Sequence, residues 1–161
     1  MVWAFSGHRP HRLPWGFREE DPRCRALKAR LAEALAQILA AGPAVLLCGM
    51  ARGCDTYFAE AALALLAADC RSELWAVLPC AGQADGWPAA DQRRYRALCR
   101  ASSRVLLLQE AYSEGCMLRR NRWMLDHADR LLTVYDGGGG GTGWMVREAA
   151  RRGLPTVALW R

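Results

Sequence analysis

Short apolar, β-rich runs alternate along this chain with segments of helical periodicity, and this alternation restricts the fold more than any other feature. The apolar runs cover residues 2–5, 44–48, 73–78, 104–108, 130–135 and 155–160. Helical patterns cover residues 22–41, 56–68, 88–101, 115–128 and 143–152. Near-continuous apolar strands between helices are typical of a parallel sheet covered on both faces. The chain of 161 residues therefore predicts one Rossmann-like α/β domain over residues 1–161, with three layers and a mainly parallel sheet.

The composition indicates a reducing compartment and anionic partners. The seven cysteines form no Cys-x-x-Cys pair, and the three histidines show no ligand spacing with them. We therefore expect neither a disulfide framework nor a metal site. The sequence has no long apolar run and no recognisable signal peptide, which predicts a cytoplasmic protein that does not cross a membrane. The net charge of +6 favours anionic partners such as nucleotides or nucleic acid.

Near the C-terminus, a strand pattern leads directly into a glycine-rich turn and then into a helix pattern. The run 130–135 is followed by an aspartate, glycines at 137–141 and a threonine. Glycines let backbone N–H groups approach an anion, and a helix N-terminus adds partial positive charge. The turn therefore predicts a phosphate or pyrophosphate site, although a flexible surface loop is the alternative. The expected binding residues are Gly138, Gly139, Gly140, Gly141 and Thr142.

The turn after the first strand pattern contains small, polar and charged residues. Ser6 and Gly7 permit close approach of a ligand, while His8 and Arg9 offer hydrogen bonds and charge. Ligands of open parallel sheets lie beyond the carboxyl ends of the strands. We therefore predict that all four residues face a ligand.

The turn after the second strand pattern contains two glycines, Gly49 and Gly53, followed by Asp55 at the start of a helix pattern. Backbone donors at such a helix start suit a phosphate, as they do in other glycine-rich nucleotide loops. Asp55 is interpreted either as an acceptor for ribose hydroxyls or as the N-cap of the helix.

The turns after the third and fourth strand patterns contribute further candidates. Trp87 is interpreted either as a surface on which a base stacks or as packing for the next helix, and Gln83 precedes it. Arg119 and Arg122 share one face of the following helix pattern, with Asn121 beside them. Arginines near a helix start are unfavourable for the helix dipole, so a bound phosphate would explain them.

Taken in order, these turns resemble the YpsA-like branch of the SLOG superfamily. The matching segments are Ser-Gly-His-Arg-Pro at 6–10, Cys-Gly-Met-Ala-Arg-Gly-Cys-Asp at 48–55, Pro79 with Gln83 and Trp87, Gln-Arg-Arg-Tyr at 92–95, Arg-Arg-Asn-Arg-Trp-Met at 119–124, and Tyr-Asp-Gly at 135–137 before Gly-Gly-Thr at 140–142. They extend over essentially the whole chain. The resemblance implies a Rossmann-like fold whose pocket binds a nucleotide or a nucleotide-derived ligand.

Two relatives in that superfamily suggest alternative activities. The LOG phosphoribohydrolases carry an Arg-x-x-x-Met-like helix, which Arg120 and Met124 match, and a catalytic glutamate at the position of Met145. Methionine cannot transfer a proton, so the resemblance leaves open whether this chain is an enzyme. If the chain is an enzyme, Asp55 and Asp136 are the candidate catalytic residues. From its position in the helix pattern, Arg120 is expected to face solvent. The second relative, the single-stranded DNA-binding protein DprA, has a turn similar to residues 49–55.

The sequence as a whole predicts a domain that binds an ADP-ribose-like or NAD-like ligand as a sensor or regulator, with Asp55 or Asp136 accepting ribose hydroxyls. A hydrolase of N-glycosidic bonds is the first alternative. Nucleic-acid binding is less favoured, because the arginines are dispersed rather than grouped along a groove. The sequence indicates no specific cofactor, and we expect a nucleotide-type ligand. Trp15 and Trp160 are interpreted either as core residues or as part of a homodimer face.

Overall fold

Strands and helices alternate throughout the computed structural model, which describes residues 1–160. The strands are β1 (Val2–Gly7), β2 (Val45–Cys48), β3 (Glu73–Leu78), β4 (Arg104–Leu107), β5 (Arg130–Val134) and β6 (Thr156–Ala158). The helices are α1 (Pro22–Ala40), α2 (Cys54–Leu66), α3 (Ala89–Ala101), α4 (Cys116–Asp126) and α5 (Gly140–Arg151), and a short 3-10 helix spans Pro10–Arg12. Each strand and helix predicted from the sequence is present, with ends that differ by a few residues.

The six strands form one sheet in the order β4-β3-β2-β1-β5-β6, and all pairings are parallel. In β1, Trp3 pairs with Leu46 of β2, and Ser6 pairs with Thr133 of β5. The chain progresses from β1 outward to β4 and then returns to the other side of β1, so the strand order reverses between β1 and β5. Open α/β sheets bind ligands at such a reversal, outside the carboxyl ends of the strands. The predicted Rossmann-like parallel sheet is confirmed.

Successive strand residues point to opposite faces of the sheet and build two separate cores. Leu46 belongs to a core that includes Phe58 of α2 and residues of α1 and α3. The next residue, Leu47, belongs to the second core with Met124 of α4 and Met145 of α5. The sheet is therefore the middle of three layers, as the sequence predicted.

Local sequence signals explain where two of the helices begin. The Asp21 side chain accepts a hydrogen bond from the Arg23 backbone N–H at 2.8 Å, and Pro22 occupies the first turn of α1. Helix α5 begins at Gly140, three residues earlier than predicted, with Gly139 as an N-cap that has no side chain to offer. The first turn of α5 therefore consists partly of the glycine run itself.

The irregular segment before α1 is anchored in the core by tryptophan. Trp15 is buried, its ring stacks on Trp160 at 5.8 Å, and its indole N–H donates to the Tyr57 hydroxyl at 3.5 Å. These contacts support the core interpretation of Trp15 over a dimer face. Within residues 1–160, no helix combines the length and the apolar character that a membrane crossing requires.

Candidate anion-binding site

A cavity of about 380 Å³ lies at the carboxyl ends of β1 and β2 and at the start of α5. Many of its walls are the turns that the sequence singled out. The predicted residues that line it are Ser6, Gly7, His8, Arg9, Gly49, Asp55, Asn121, Gly139, Gly140, Gly141 and Thr142. The structure adds lining residues that were not among the predicted binding residues, namely Phe5, His11, Arg12, Ala51, Met117, Arg120 and Met124.

The first turn of α5 forms one wall of the cavity. Gly140 has φ +82°, a conformation that L side chains rarely adopt, and no side chain caps the N-terminus of the helix. The early N–H groups of a helix have no partner within the helix, so they remain available to an anion. Thr142 is buried, and its hydroxyl oxygen accepts a hydrogen bond from the Ser6 hydroxyl at 3.2 Å. This hydrogen bond connects the wall formed by α5 to β1.

Arg120 crosses the floor of the cavity and is buried, with 4% of its surface exposed, so the expectation that it faces solvent is wrong. Its Nη1 donates to the Gly49 carbonyl at 2.5 Å and to the Val77 carbonyl at 3.3 Å. The guanidinium approaches closely because Gly49 has no side chain: a Cβ there would lie 2.5 Å from Nη1. The sequence did contain a signal, since Cys116, Arg120 and Met124 repeat every four residues and form a buried face of α4.

Asp55 is the acidic residue that lines the cavity, and it is also buried. Its Oδ2 accepts a hydrogen bond from the Ala51 N–H at 3.1 Å, while Gly53 is the N-cap of α2. The interpretation of Asp55 as the helix N-cap is therefore wrong. Burial raises the pKa of Asp55, and the charge of Arg120 opposes that rise. Burial likewise lowers the pKa of Arg120, with Asp55 acting in the opposite direction.

His8 and Asp136 meet where the neighbouring strands β1 and β5 end. The His8 Nε2 lies 2.8 Å from Asp136 Oδ1 and 3.1 Å from the Asp136 backbone N–H nitrogen. Asp136 Oδ1 also accepts the Gly138 N–H at 2.8 Å, and this hydrogen bond is the largest cause of a lowered Asp136 pKa. The pair thus connects the turn after β1 to the glycine-rich turn. His8 lines the cavity, whereas Asp136 is not among the lining residues and contacts His8 instead.

Arg12 reaches the glycine-rich turn from the 3-10 helix. A Cβ on Gly138 would collide with Nη2 of Arg12, and a Cβ on Gly140 would lie 3.7 Å from its Nη1. Arg12 Nη2 also lies 3.8 Å from Asp136 Oδ1. The Nε atom of Arg12 is buried without a hydrogen-bond partner in the described part of the chain. A guanidinium beside the positive end of a helix is a favourable position for a bound anion.

Several predicted binding residues lie outside the cavity. Arg119 is exposed and donates to Gln109 Oε1 at 2.9 Å, and Arg122 is exposed with its guanidinium 5.9 Å from the Trp144 ring. The structure therefore does not bring these two arginines to the glycine-rich turn. Sequence spacing placed them on one face of α4, but that face points away from the sheet.

The remaining candidates lie beneath or beside the cavity. Gln83 is buried and donates from Nε2 to the Gly49 carbonyl at 3.1 Å, so it supports the turn after β2 from below. Trp87 packs edge-on against Tyr95 with 5.3 Å between ring centroids. Together with Gly53 it lines a separate small hollow of about 30 Å³. Trp87 therefore does not close the main cavity.

The position that bears a glutamate in the LOG enzymes is also outside the cavity. Met145 is buried in the second core, with 1% of its surface exposed. Glu148, one turn further along α5, accepts hydrogen bonds from Arg151 and from Arg152, the latter at 2.7 Å. Both carboxylate oxygens of Glu148 are therefore used on the outer surface of the domain.

Fold and site together define a Rossmann-like α/β protein with an arginine-lined cavity at its topological switch point. The YpsA family model, described as the YspA SLOG family, matches residues 3–152. The chain belongs to this family, as the motifs in its turns predicted. None of the curated proteins matches the sequence significantly.

Solved structures with a similar fold include two DprA proteins. DprA from Helicobacter pylori, described with a unique single-stranded DNA binding mode, has a TM-score of 0.65 and 17% identity over 98% of this chain and 64% of its own. DprA from Streptococcus pneumoniae has a TM-score of 0.64 and 16% identity over 98% of this chain and 49% of its own. The chain thus spans between about half and two thirds of these relatives.

A third similar structure is the structural genomics target TM1055. It has a TM-score of 0.54 and 15% identity, over 96% of this chain and 71% of its own. At such identities, all three comparisons concern the fold alone.

Proposed function

We propose that this protein binds a nucleotide or a nucleotide-derived ligand, with an anionic group of the ligand at the N-terminus of α5. The observation that carries the proposal is the position of Arg9, Arg12 and Arg120 in one cavity with an uncapped, glycine-rich helix start. Asp55 is the opposing acidic group in the lining, and Arg120 lies close enough to affect its pKa. A surplus of fixed positive charge next to free backbone N–H groups favours a phosphate.

The shape and lining of the cavity suggest how such a ligand would lie. The phosphate would contact Gly141 and Thr142, and hydroxyl groups of a ribose would reach Asp55 or Asn121. Apolar atoms of Met117 and its neighbours offer a surface for a base. The volume of about 380 Å³ is near the lower end of the roughly 300–1,000 Å³ range of ligand pockets. A mononucleotide unit fits that size, and an ADP-ribose-like ligand would extend beyond the cavity.

A sensing or regulatory role suits this lining better than hydrolysis does. Met145 is in the core, so the cavity has no acid or base at the position that the LOG enzymes use. Asp55 faces the cavity with one carboxylate oxygen bonded to the Ala51 N–H. Release of a free base from AMP that is abolished in Asp55→Asn would instead establish the hydrolase alternative.

The proposal is tested by measuring ligand binding to wild type and to two matched arginine variants. Thermal shift would identify ligands among AMP, ADP-ribose, NAD and cyclic AMP, and calorimetry would give the Kd of the tightest one. Arg12→Gln removes a charge-assisted contact at the glycine-rich turn and should weaken binding about tenfold. Arg122→Gln removes the same charge from the outer face of α4 and should leave Kd unchanged. Equal losses in both variants, or no stabilisation of folded wild type by any of the four ligands, would contradict the proposal.

Nucleic-acid binding is a second candidate, supported by the fold similarity to a DprA described as binding single-stranded DNA. One surface feature of this chain also favours it. Phe17 is 60% exposed, and the Arg52 guanidinium lies 4.3 Å from its ring, beside the small hollow that Trp87 lines. Exposed aromatic rings beside arginine are suited to stacked bases. Retention of an oligonucleotide that weakens steeply with salt, and that Phe17→Ala reduces, would support this candidate.

A further inference from the structure

His8 is a titratable residue in the wall of the cavity that the proposed phosphate contacts do not use. It is 2% exposed, lines the cavity, and lies next to the end of β1. Its Nε2 has two neighbours on one residue: the carboxylate Oδ1 of Asp136 at 2.8 Å and the backbone N–H of Asp136 at 3.1 Å. An unprotonated Nε2 accepts from the N–H, whereas an Nε2–H, in the imidazolium or in one of the two neutral tautomers, donates to the carboxylate. Asp136 therefore offers a partner to both protonation states of His8.

Charged groups from two sides surround the imidazole. The 3-10 helix contributes Arg12 and His11, and the segment after β5 contributes Asp136, with the Tyr135 ring 5.9 Å away. Burial is the largest influence and lowers the pKa of His8; Arg12 and His11 act in the same direction, while Asp136 opposes them. Without a bound anion, this lowered pKa favours the neutral form of His8 at pH 7.

An anion in the cavity would change this balance. Its negative charge would offset the effect by which Arg12 and His11 lower the His8 pKa. It would also attract the positive charge of a His8 imidazolium directly. A nearby opposite charge favours the charged form of a histidine. The carboxylate of Asp136 lies within hydrogen-bond distance of Nε2 and can accept the Nε2–H of an imidazolium, so protonation requires no movement of Asp136.

We infer that His8 takes up a proton when the cavity receives its anionic ligand, so that ligand binding and proton binding are coupled at this residue. The inference rests on the proposed function, since it needs an anion in this cavity. By linkage, a ligand that raises the proton affinity of His8 binds more tightly as the pH falls. Between the His8 pKa values of the free and bound protein, affinity should decrease up to tenfold for each unit increase in pH.

The test is an NMR titration of the histidine ring signals, with sulfate as the anion because it does not itself titrate near neutral pH. The chain has three histidines, and spectra of His11→Gln and His127→Gln assign the remaining signal to His8. Sulfate should raise the His8 pKa by about 1 relative to chloride at equal ionic strength. Backbone N–H shifts of Gly141 and Thr142 report whether sulfate occupies the site. An unchanged His8 pKa at a sulfate concentration that shifts those signals overturns the inference.

A second arm with AMP separates this inference from the proposed function. If sulfate raises the His8 pKa but AMP and the other nucleotides leave the Gly141 and Thr142 signals unshifted, the nucleotide proposal fails and the inference stands. If AMP binds without any change in the His8 pKa, the inference fails and the nucleotide proposal stands. In Asp136→Asn, which lacks the carboxylate, the pKa of His8 in sulfate should fall below that of the wild type.

Discussion

At the scale of single residues, the cavity depends on one close approach between a guanidinium and a backbone. Arg120 lies against Gly49 so closely that a methyl group at that position would meet the guanidinium at 2.5 Å. The same arginine donates to the Gly49 carbonyl, which also accepts from Gln83. The absence of a side chain at residue 49 thus lets the floor of the cavity form.

Gly49→Ala should therefore destabilise the protein by about 1–3 kcal/mol, since a well-packed interior accepts an added methyl group only with displacement of its neighbours. Gly141→Ala is the matched control, because its Cβ would lie 3.4 Å from Asn121 Nδ2, which is ordinary contact. Alanine also favours a helix over glycine, so the control should keep or gain stability within about 1 kcal/mol. Urea unfolding of both variants measures the difference. Equal stabilities would show that Arg120 moves aside without cost.

At the scale of elements, ion pairs of Arg94 hold the irregular segment before α1 against helices α2 and α3. Arg94 of α3 donates to both carboxylate oxygens of Glu19, at 2.6 and 2.8 Å, and to both of Glu60 of α2. Lys28 of α1 lies 2.6 Å from Glu19 as well. These contacts hold the irregular segment, with Trp15 inside it, on the core side of the sheet rather than over the cavity. The cavity wall on that side is instead the 3-10 helix.

The ion pair between Arg94 and Glu19 should make part of the protein's stability depend on pH. The hydrogen bond from Arg94 is the largest cause that lowers the pKa of Glu19 from 4.5 to about 2. A carboxylate with a depressed pKa in the folded state stabilises the fold above its unfolded pKa, and this stabilisation disappears as the pH falls towards 2. Glu19→Gln should cost about 1 kcal/mol at pH 7, because partial exposure screens the ion pair, and almost nothing near pH 2.

Unfolding in urea at several pH values measures this effect, and Glu20→Gln is the control. Glu20 is the exposed neighbour of Glu19 and forms none of the ion pairs found in residues 1–160. Its substitution should leave stability unchanged within about 0.5 kcal/mol. A loss in Glu19→Gln that is the same at pH 2 and pH 7 would contradict the electrostatic explanation.

At the scale of the whole molecule, the sheet separates two clusters of buried apolar residues, one on each face. Leu46 and Leu47 are consecutive in β2, yet they belong to different cores. Phe5 and Phe58, by contrast, are far apart in sequence and stack in one core at 4.2 Å between ring centroids. Two substitutions should therefore be energetically coupled when they lie in the same core, and not merely because they are neighbours in the sequence.

Double-mutant cycles test this architecture. Leu46→Val and Leu47→Val should each cost about 1 kcal/mol, and their effects should add within about 0.5 kcal/mol because their environments are separate. Phe5→Leu and Phe58→Leu remove the same aromatic pair, so their effects should deviate from additivity by about 0.5–1.5 kcal/mol. Denaturant unfolding of the single and double variants supplies these energies. Strong coupling between the two leucines would contradict the three-layer packing.

The fold and much of the candidate site could be predicted because both depend on local patterns. Residues at the carboxyl ends of parallel strands meet at one edge of the sheet, so Ser6, Gly49, Asp55 and Thr142 lie in one cavity, as their positions after strands suggested. Arg119 and Arg122 were misplaced because helical spacing shows which residues share a face but not which face turns toward the sheet. The four-residue repeat that Arg120 shares with Cys116 and Met124 indicates a common face, and the packing of α4 turns that face toward the cavity.

The sequence by itself determined the strand–helix alternation, the parallel sheet, the family and the glycine-rich helix start, because periodicity and glycine act over a few neighbouring residues. The tertiary structure decided which further charged groups, Arg12 and Arg120 among them, line the cavity beside the predicted Arg9. Arg12 reaches Gly138 and His8 meets Asp136 across separations of more than a hundred residues, and no local pattern encodes such distances. Arg12 belongs to the 3-10 helix and Arg120 to α4, so the packing of these elements against the sheet determines which cations face an anion.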